Sequence, residues 1–207
     1  MPQSIQDVKR ETIQLPAARR KGRMSLEEAL LARRSRRAYG GEPVTLAEAA
    51  QLLWAAQGIT SPELQRTAPS AGALYPLETY LAATRVEGLA PGIYHYLPER
   101  HGLVLERAGD VRKELTAAAM DQDCLRFSAC VILFAAVYER MTVKYGERGA
   151  GFALREAGHA AQNVCLQAAA LGLGTVVMGA FDPVEVRRIA GLPEEQDPVY
   201  LMPAGRP

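Results

Sequence analysis

Apolar and polar positions along the chain fall into two rhythms, and capping residues mark where one gives way to the other. Ser25-Leu-Glu-Glu28 opens a helical stretch to about Arg34. The serine oxygen can accept an amide hydrogen bond there while Glu28 reaches back to the cap amide. Thr45-Leu-Ala-Glu48 repeats the device ahead of a helix to about Gln57, which Gly58 can end. Asp182-Pro-Val-Glu185 is a third start, with proline at the first helical position and Gly191 just past the end. An Ala-rich helix over about 152–171 leads into Gly172 and Gly174. Between these lie strand patterns. Residues 79–84 have a strand's length, and 93–96 with 103–106 flank a turn-like Pro98-Glu-Arg-His-Gly102 and read as a hairpin. Residues 129–137 are apolar on both faces, as in a central buried strand. Residues 175–180 and 199–202 complete the set. Helices on strands with mixed connections predict an α+β fold in two layers or three. Residues 1–24 read as an irregular arm, and 25–207 as one domain.

Composition supports a folded domain and removes several functions. The 207 residues are 48% hydrophobic and 23% charged, an ordinary globular balance. The formal charge is +1, but residues 1–41 carry ten basic and four acidic side chains, so the excess is concentrated there. This excludes a globally basic nucleic-acid coat and leaves a basic N-terminal segment to explain. Cys124, Cys130 and Cys165 have no CxxC spacing, so neither a disulfide scaffold nor a zinc ribbon is expected. The N-terminus lacks the apolar core of a signal peptide, and the longest apolar run, 129–138, is about half of a spanning helix. The expectation is a cytoplasmic protein with no membrane partner.

Four segments could carry chemistry. Arg33-Arg-Ser-Arg-Arg37 surrounds a hydroxyl with guanidiniums whose planar fork suits phosphate, although cations also favour a helix terminus. No aromatic platform interleaves with them, which argues against nucleic acid. Pro69-Ser-Ala-Gly-Ala-Leu-Tyr-Pro76 allows close backbone approach to a flat ligand, or is an ordinary turn. Gly172-Leu-Gly-Thr-Val-Val-Met-Gly179 runs from helix to strand, the reverse of a dinucleotide-binding fingerprint. Met178 and Gly179 at the strand end could still face a ligand. Lys144-Tyr145 places a base beside a hydroxyl, in what reads as a solvated loop. His95, His101 and His159 have no metal-ligand spacing, so no metal is expected, and His159 reads as a core or supporting histidine. No GxSxG elbow or phosphate-binding Walker loop is present.

Taken in order, Met24-Ser-Leu-Glu-Glu-Ala-Leu, Arg33-Arg-Ser-Arg-Arg37, Pro69-Ser-Ala-Gly-Ala-Leu-Tyr-Pro76, Lys144-Tyr-Gly-Glu-Arg-Gly149, Glu156-Ala-Gly-His-Ala-Ala-Gln-Asn163 and Leu171-Gly-Leu-Gly174 make the chain resemble the nitroreductase-like flavoproteins. The Tyr after Leu74 and the Lys-Tyr pair are similar to the SagB-type dehydrogenase branch. The resemblance implies a homodimeric α+β fold, a mixed, mainly antiparallel sheet flanked by helices, with FMN at the subunit interface. It sets Arg33, Arg34, Ser35 and Arg37 on the FMN phosphate and ribityl chain. It lays Pro69, Ser70, Ala71 and Gly72 along the isoalloxazine, and brings Met178 and Gly179 to its reactive edge. Lys144 and Tyr145 match a pair that deprotonates the substrate in azoline-oxidising members. Arg206 is the C-terminal residue that could help hold the phosphate.

Three functions follow. The first is an FMN-dependent dehydrogenase passing hydride through flavin N5 and aromatising a thiazoline or oxazoline in a small molecule or modified peptide. The second reverses the direction, with NAD(P)H as electron donor and a nitroaromatic or quinone as acceptor. The third is a non-catalytic binder in which Arg33 to Arg37 grip nucleic acid or another anion.

Overall fold

The structure, a computed structural model, describes residues 11–207. Its frame is a seven-stranded sheet. The strands in chain order are β1 (Thr12–Gln14), β3 (Leu77–Ala83), β5 (Gly92–Leu97), β6 (Gly102–Ala108), β7 (Cys130–Ala136), β8 (Gly174–Thr175) and β9 (Asp197–Gly205), while β2 (Val44–Thr45) and β4 (Val86–Glu87) form a separate pair. The large sheet runs β1-β6-β5-β3-β7-β9-β8 and is antiparallel throughout. Among the described residues, parallel pairing is confined to β2 with β4 and the single bridge between Ser35 and Thr175.

The period of two in β7 explains the layering. Ile132, Phe134 and Ala136 face one apolar core with Leu77, Leu81 and Tyr94, and that core is closed by α2 (Leu46–Gln57) and α6 (Arg148–Ala170). Val131, Leu133 and Ala135 face a second core with Tyr80 and Ile93, closed by α3 (Arg112–Ala118), α4 (Asp123–Phe127) and α7 (Pro183–Ala190). The α+β expectation thus takes its three-layer form.

The three capping signals operate as the sequence predicts. Ser25 and Thr45 complete reciprocal boxes with Glu28 and Glu48, and Asp182 caps α7 through the Val184 and Glu185 amides. Other boundaries differ. α1 is Leu26–Ala32, so the arginine run leaves the helix and extends toward β8. The first ten residues of the expected arm lie outside the described residues, but Thr12–Gln14 pairs with β6 instead of remaining irregular. Of 175–180 only the first residue is in a strand, and Met178 rejoins the sheet by an isolated bridge to Leu201. The Ala-rich helix starts at Arg148, four residues earlier than its composition suggests. Lys144-Tyr145 ends a helix, α5 (Glu139–Tyr145), where a solvated loop is expected. His159 is exposed on α6, which corrects its placement in the core.

Candidate functional site

Two clusters of expected residues form, near opposite ends of α6. The first is built on the chain leaving α1. Arg36 donates its amide to the Thr175 carbonyl at 2.9 Å, and the Tyr39 hydroxyl donates to Pro203 at 3.1 Å, so the run is fastened across β8 and β9. Arg34 and Arg36 line a cavity of about 170 Å³ with Cys165, Gly172, Thr175 and Pro207. Arg33 acts electrostatically on Cys165, and Arg37 on Cys124 and Tyr39. Arg34 donates to the Leu31 and Arg33 carbonyls at the end of α1. Among the described residues, Arg33, Arg34, Arg36 and Arg37 meet no carboxylate. Arg34 and Arg36 at that cavity, neither facing a carboxylate, suit a phosphate, while Arg33 and Arg37 do not line it. Ser35 is exposed within the run.

Arg206 is differently occupied. Its guanidinium lies 3.0 Å from Glu48 and 3.8 Å from Glu42. Burial raises the proton affinity of Glu48, but hydrogen bonds from Thr45 and Arg206 hold the carboxyl below its ordinary range.

The second cluster gathers around the loop before β3. Gly72 has φ +66, Ala73 φ +54 and Tyr75 φ +46, so this turn is built from left-handed residues. Tyr75 is held from three sides. Its amide donates to Ser70 Oγ at 2.9 Å, its carbonyl accepts from Arg140 at 2.9 Å, and Arg66 lies 4.4 Å from its ring centroid. Strain of this kind persists only where the surroundings impose it.

Lys144 and Tyr145 come to this loop from the last turn of α5. A Cβ on Gly72 would lie 2.7 Å from Lys144 Nζ and 2.7 Å from Tyr145 Oη. The Tyr145 ring is set edge-on against Phe152 of α6 at 5.0 Å. Gly149 makes this corner possible, because a Cβ there would come within 2.7 Å of the Met141 backbone. Base, hydroxyl and bare backbone therefore meet at one point. Pro69 and Gly72 are exposed, while Ser70 and Ala71 are half-buried.

Met178 is buried in the second core, its sulfur 3.5 Å from Cys124 Sγ, and its amide and carbonyl both bond Leu201. Gly179 beyond it is exposed. From Glu156, beside Ser70, to Cys165, which lines the arginine cavity, is nine residues of helix, roughly 14 Å at 1.5 Å per residue. The arginine and loop clusters are therefore not one compact pocket.

One residue of this neighbourhood belongs to none of the expected site residues. Glu156 of α6 is 2% exposed, beneath the loop beside Ser70 and Gln57. Its signal is the helical period: it shares the buried face of α6 with Gly149, Ala153, Ala157 and Ala160, where only small or apolar residues are otherwise found. Groups of His, Cys, Asp and Glu able to hold a metal are absent among the described residues, and no helix of these is long and apolar enough to cross a membrane.

Comparison with known proteins places this geometry. The nitroreductase family model matches residues 30–206. A Methanocaldococcus jannaschii protein provisionally named a nitroreductase is 45% identical over 183 residues, 88% of this chain and 91% of that one. The crystal structure of a protein from Ralstonia eutropha, likewise provisionally named, superposes with a TM-score of 0.83 and 30% identity, covering 96% of this chain and 90% of that one. The Escherichia coli microcin synthetase McbBCD complex, with truncated pro-MccB17 bound, contributes a chain with a TM-score of 0.72 and 25% identity, covering 82% of this chain and 66% of its own. The chain belongs to the nitroreductase family, and it has that family's fold.

Proposed function

We propose that the protein is an FMN-dependent oxidoreductase of the SagB type that oxidises thiazoline or oxazoline rings. The observation that carries this reading is the meeting of Lys144 and Tyr145 at Gly72, in the loop that the resemblance sets against the flavin. The residues present fit FMN: arginines with no carboxylate partner among the described residues for a phosphate, an exposed glycine backbone at Gly72 for a flat ring, and an exposed Gly179 just past the Met178 bridge. Arg33, Arg34, Ser35 and Arg37 would hold the phosphate and ribityl chain, Pro69 to Gly72 would lie along the ring, and Met178 with Gly179 would approach its edge. Arg206 is left out of the grip because Glu48 already occupies it. When bound, FMN supplies the hydride acceptor, so no protein nucleophile or metal is required.

The chain's own part is orientation and proton removal. Lys144 Nζ or Tyr145 Oη, which meet at Gly72, would take a ring proton from a substrate beside the loop. Phe152 fixes the Tyr145 ring, so the hydroxyl is aimed by packing. The microcin synthetase relative supports a modified-peptide substrate. A homodimer would bring the two clusters to a shared interface, and the exposed Leu26, Leu30 and Leu31 of α1 with Leu154 of α6 offer apolar surface for it. The setting we propose is cytoplasmic, with no nucleic-acid partner.

A second reading keeps FMN and uses NAD(P)H to reduce a nitroaromatic or quinone. The relatives provisionally named nitroreductases favour it. Anaerobic mixing of the FMN-loaded protein with NADH or NADPH separates the two. Bleaching of the flavin by the nucleotide supports the reductase; bleaching by an azoline substrate, with the nucleotides inert, supports the dehydrogenase.

A further inference from the structure

Both carboxylate oxygens of Glu156 are shut off from solvent, and neither closes a hydrogen bond. The Nε2 of Gln57 is buried and unpartnered in the same place. Ser70 and Gln57 both lie near enough to favour the ionised carboxyl, as does the charge of Arg66. Arg66 is nonetheless committed elsewhere: it bonds Gln57 Oε1 at 3.1 Å, pairs with Glu99 at 3.3 Å and stacks on Tyr75. Among the described residues, no neighbour supplies the strong pairing that a buried carboxylate requires.

The surroundings of Glu156 connect it to the loop. Ser70 Oγ accepts the Tyr75 amide and so has its own proton left to offer the carboxyl. Two residues on, Gly72 carries the contact with Lys144 and Tyr145. Arg66 is the charged group that acts on Glu156 among the described residues; the other neighbours, Ser70 of the loop and Gln57 of α2, are neutral.

We propose that Glu156 is a positioning residue: its buried, unpartnered carboxyl is tolerated beneath the closed Pro69–Tyr75 loop only in its neutral form, and loss of its proton loosens that loop and the Lys144–Tyr145 contact resting on it. Burial pushes the carboxyl up to about 7, and Ser70, Arg66 and Gln57 offset only part of that push. Opening the loop would admit water and lower the proton affinity again, so closing the loop takes up a proton. This assignment rests on the reading of the loop as part of the active site, but it concerns the chain's own residues and does not require a bound cofactor.

The test is amide hydrogen exchange of the loop, with Tyr75 as reporter, on protein carrying no added flavin. Intrinsic exchange rates are divided out between pH 6 and pH 8. We expect protection of Tyr75 to fall about tenfold over that interval in the wild type, and to be flat in Glu156→Gln at or above the wild-type pH 6 level. Ser70→Ala should lower protection at every pH while a protonated carboxylic-acid band, seen by infrared spectroscopy and lost in Glu156→Gln, remains. Parallel pH dependence in wild type and Glu156→Gln, or a uniform loss in Glu156→Gln, overturns the proposal. Because exchange is read without flavin, failure to bind FMN would sink the functional reading and leave this result standing.

Discussion

Lys144 and Gly72 interlock: the lysine Nζ lies 2.7 Å from the point that a Cβ on Gly72 would occupy. Any side chain there must displace the Lys144–Tyr145 pair, and it must also accept a left-handed backbone at φ +66. Gly72→Ala should therefore cost about 1–2 kcal/mol of stability. It should lower azoline oxidation at least tenfold in protein that remains folded, as a thermal melt beside a turnover assay would show. Unchanged turnover would detach the pair from the chemistry.

Lys144→Ala separates binding from proton removal. The side chain is exposed at the end of α5, so its loss should leave the melting temperature and FMN affinity near wild type while azoline oxidation slows. An unchanged rate would remove Lys144 from the mechanism.

The arginine run predicts discrimination between FMN and riboflavin, which lacks the phosphate. Arg33→Ala with Arg37→Ala should weaken FMN binding by roughly 100-fold, taking about 1.5–3 kcal/mol for each charge-assisted contact at the lower end. Riboflavin affinity should fall far less, through the ribityl contacts alone. Equal losses for both ligands in a fluorescence titration would mean that the arginines support the fold and do not grip a phosphate.

A buried carboxylate, Glu156, and a half-buried one, Glu78, should give stability opposite dependences on pH. Burial holds Glu156 up near 7, so the folded protein binds a proton that the unfolded chain releases near 4.5. Its contribution is present below 4.5 and is lost as pH rises toward 7, by up to about 3 kcal/mol. Glu156→Gln should remove that loss, and urea midpoints at pH 5 and pH 8 measure it. Glu78 is the converse. Burial works against its charge, but His95 at 2.8 Å and Arg140 at 2.5 Å hold the carboxyl below its ordinary range. Its stabilisation is present above 4.5 and fades on acidification, and Glu78→Gln should flatten the acid limb of the same curve.

Signals that are local in the chain are legible in the sequence itself. Capping boxes at Ser25 and Thr45 fix helix starts through bonds between residues three apart, and the apolar run of β7 announces a strand buried on both faces. What depends on the fold is non-local. Thr12–Gln14 is a strand because β6 offers an open edge, which three residues cannot reveal. The polar sequence of α5 hides a helix that packing against α6 sustains. At the site, the arginines, the loop and the Lys-Tyr pair can be named from their order in the chain. The separation of the arginines from the loop and the capture of Arg206 by Glu48 arise from tertiary neighbours remote in sequence, which no local pattern records, whereas Glu156 is signalled by its place on the buried period of α6.

FMN as the redox group of this fold is tested by equilibrium uptake of FMN by the purified protein. Saturable binding of one FMN per chain is expected, with a shifted flavin absorption spectrum and weakened uptake in the Arg33→Ala, Arg37→Ala variant. A folded protein that stays colourless and leaves the flavin spectrum and fluorescence unchanged would contradict it.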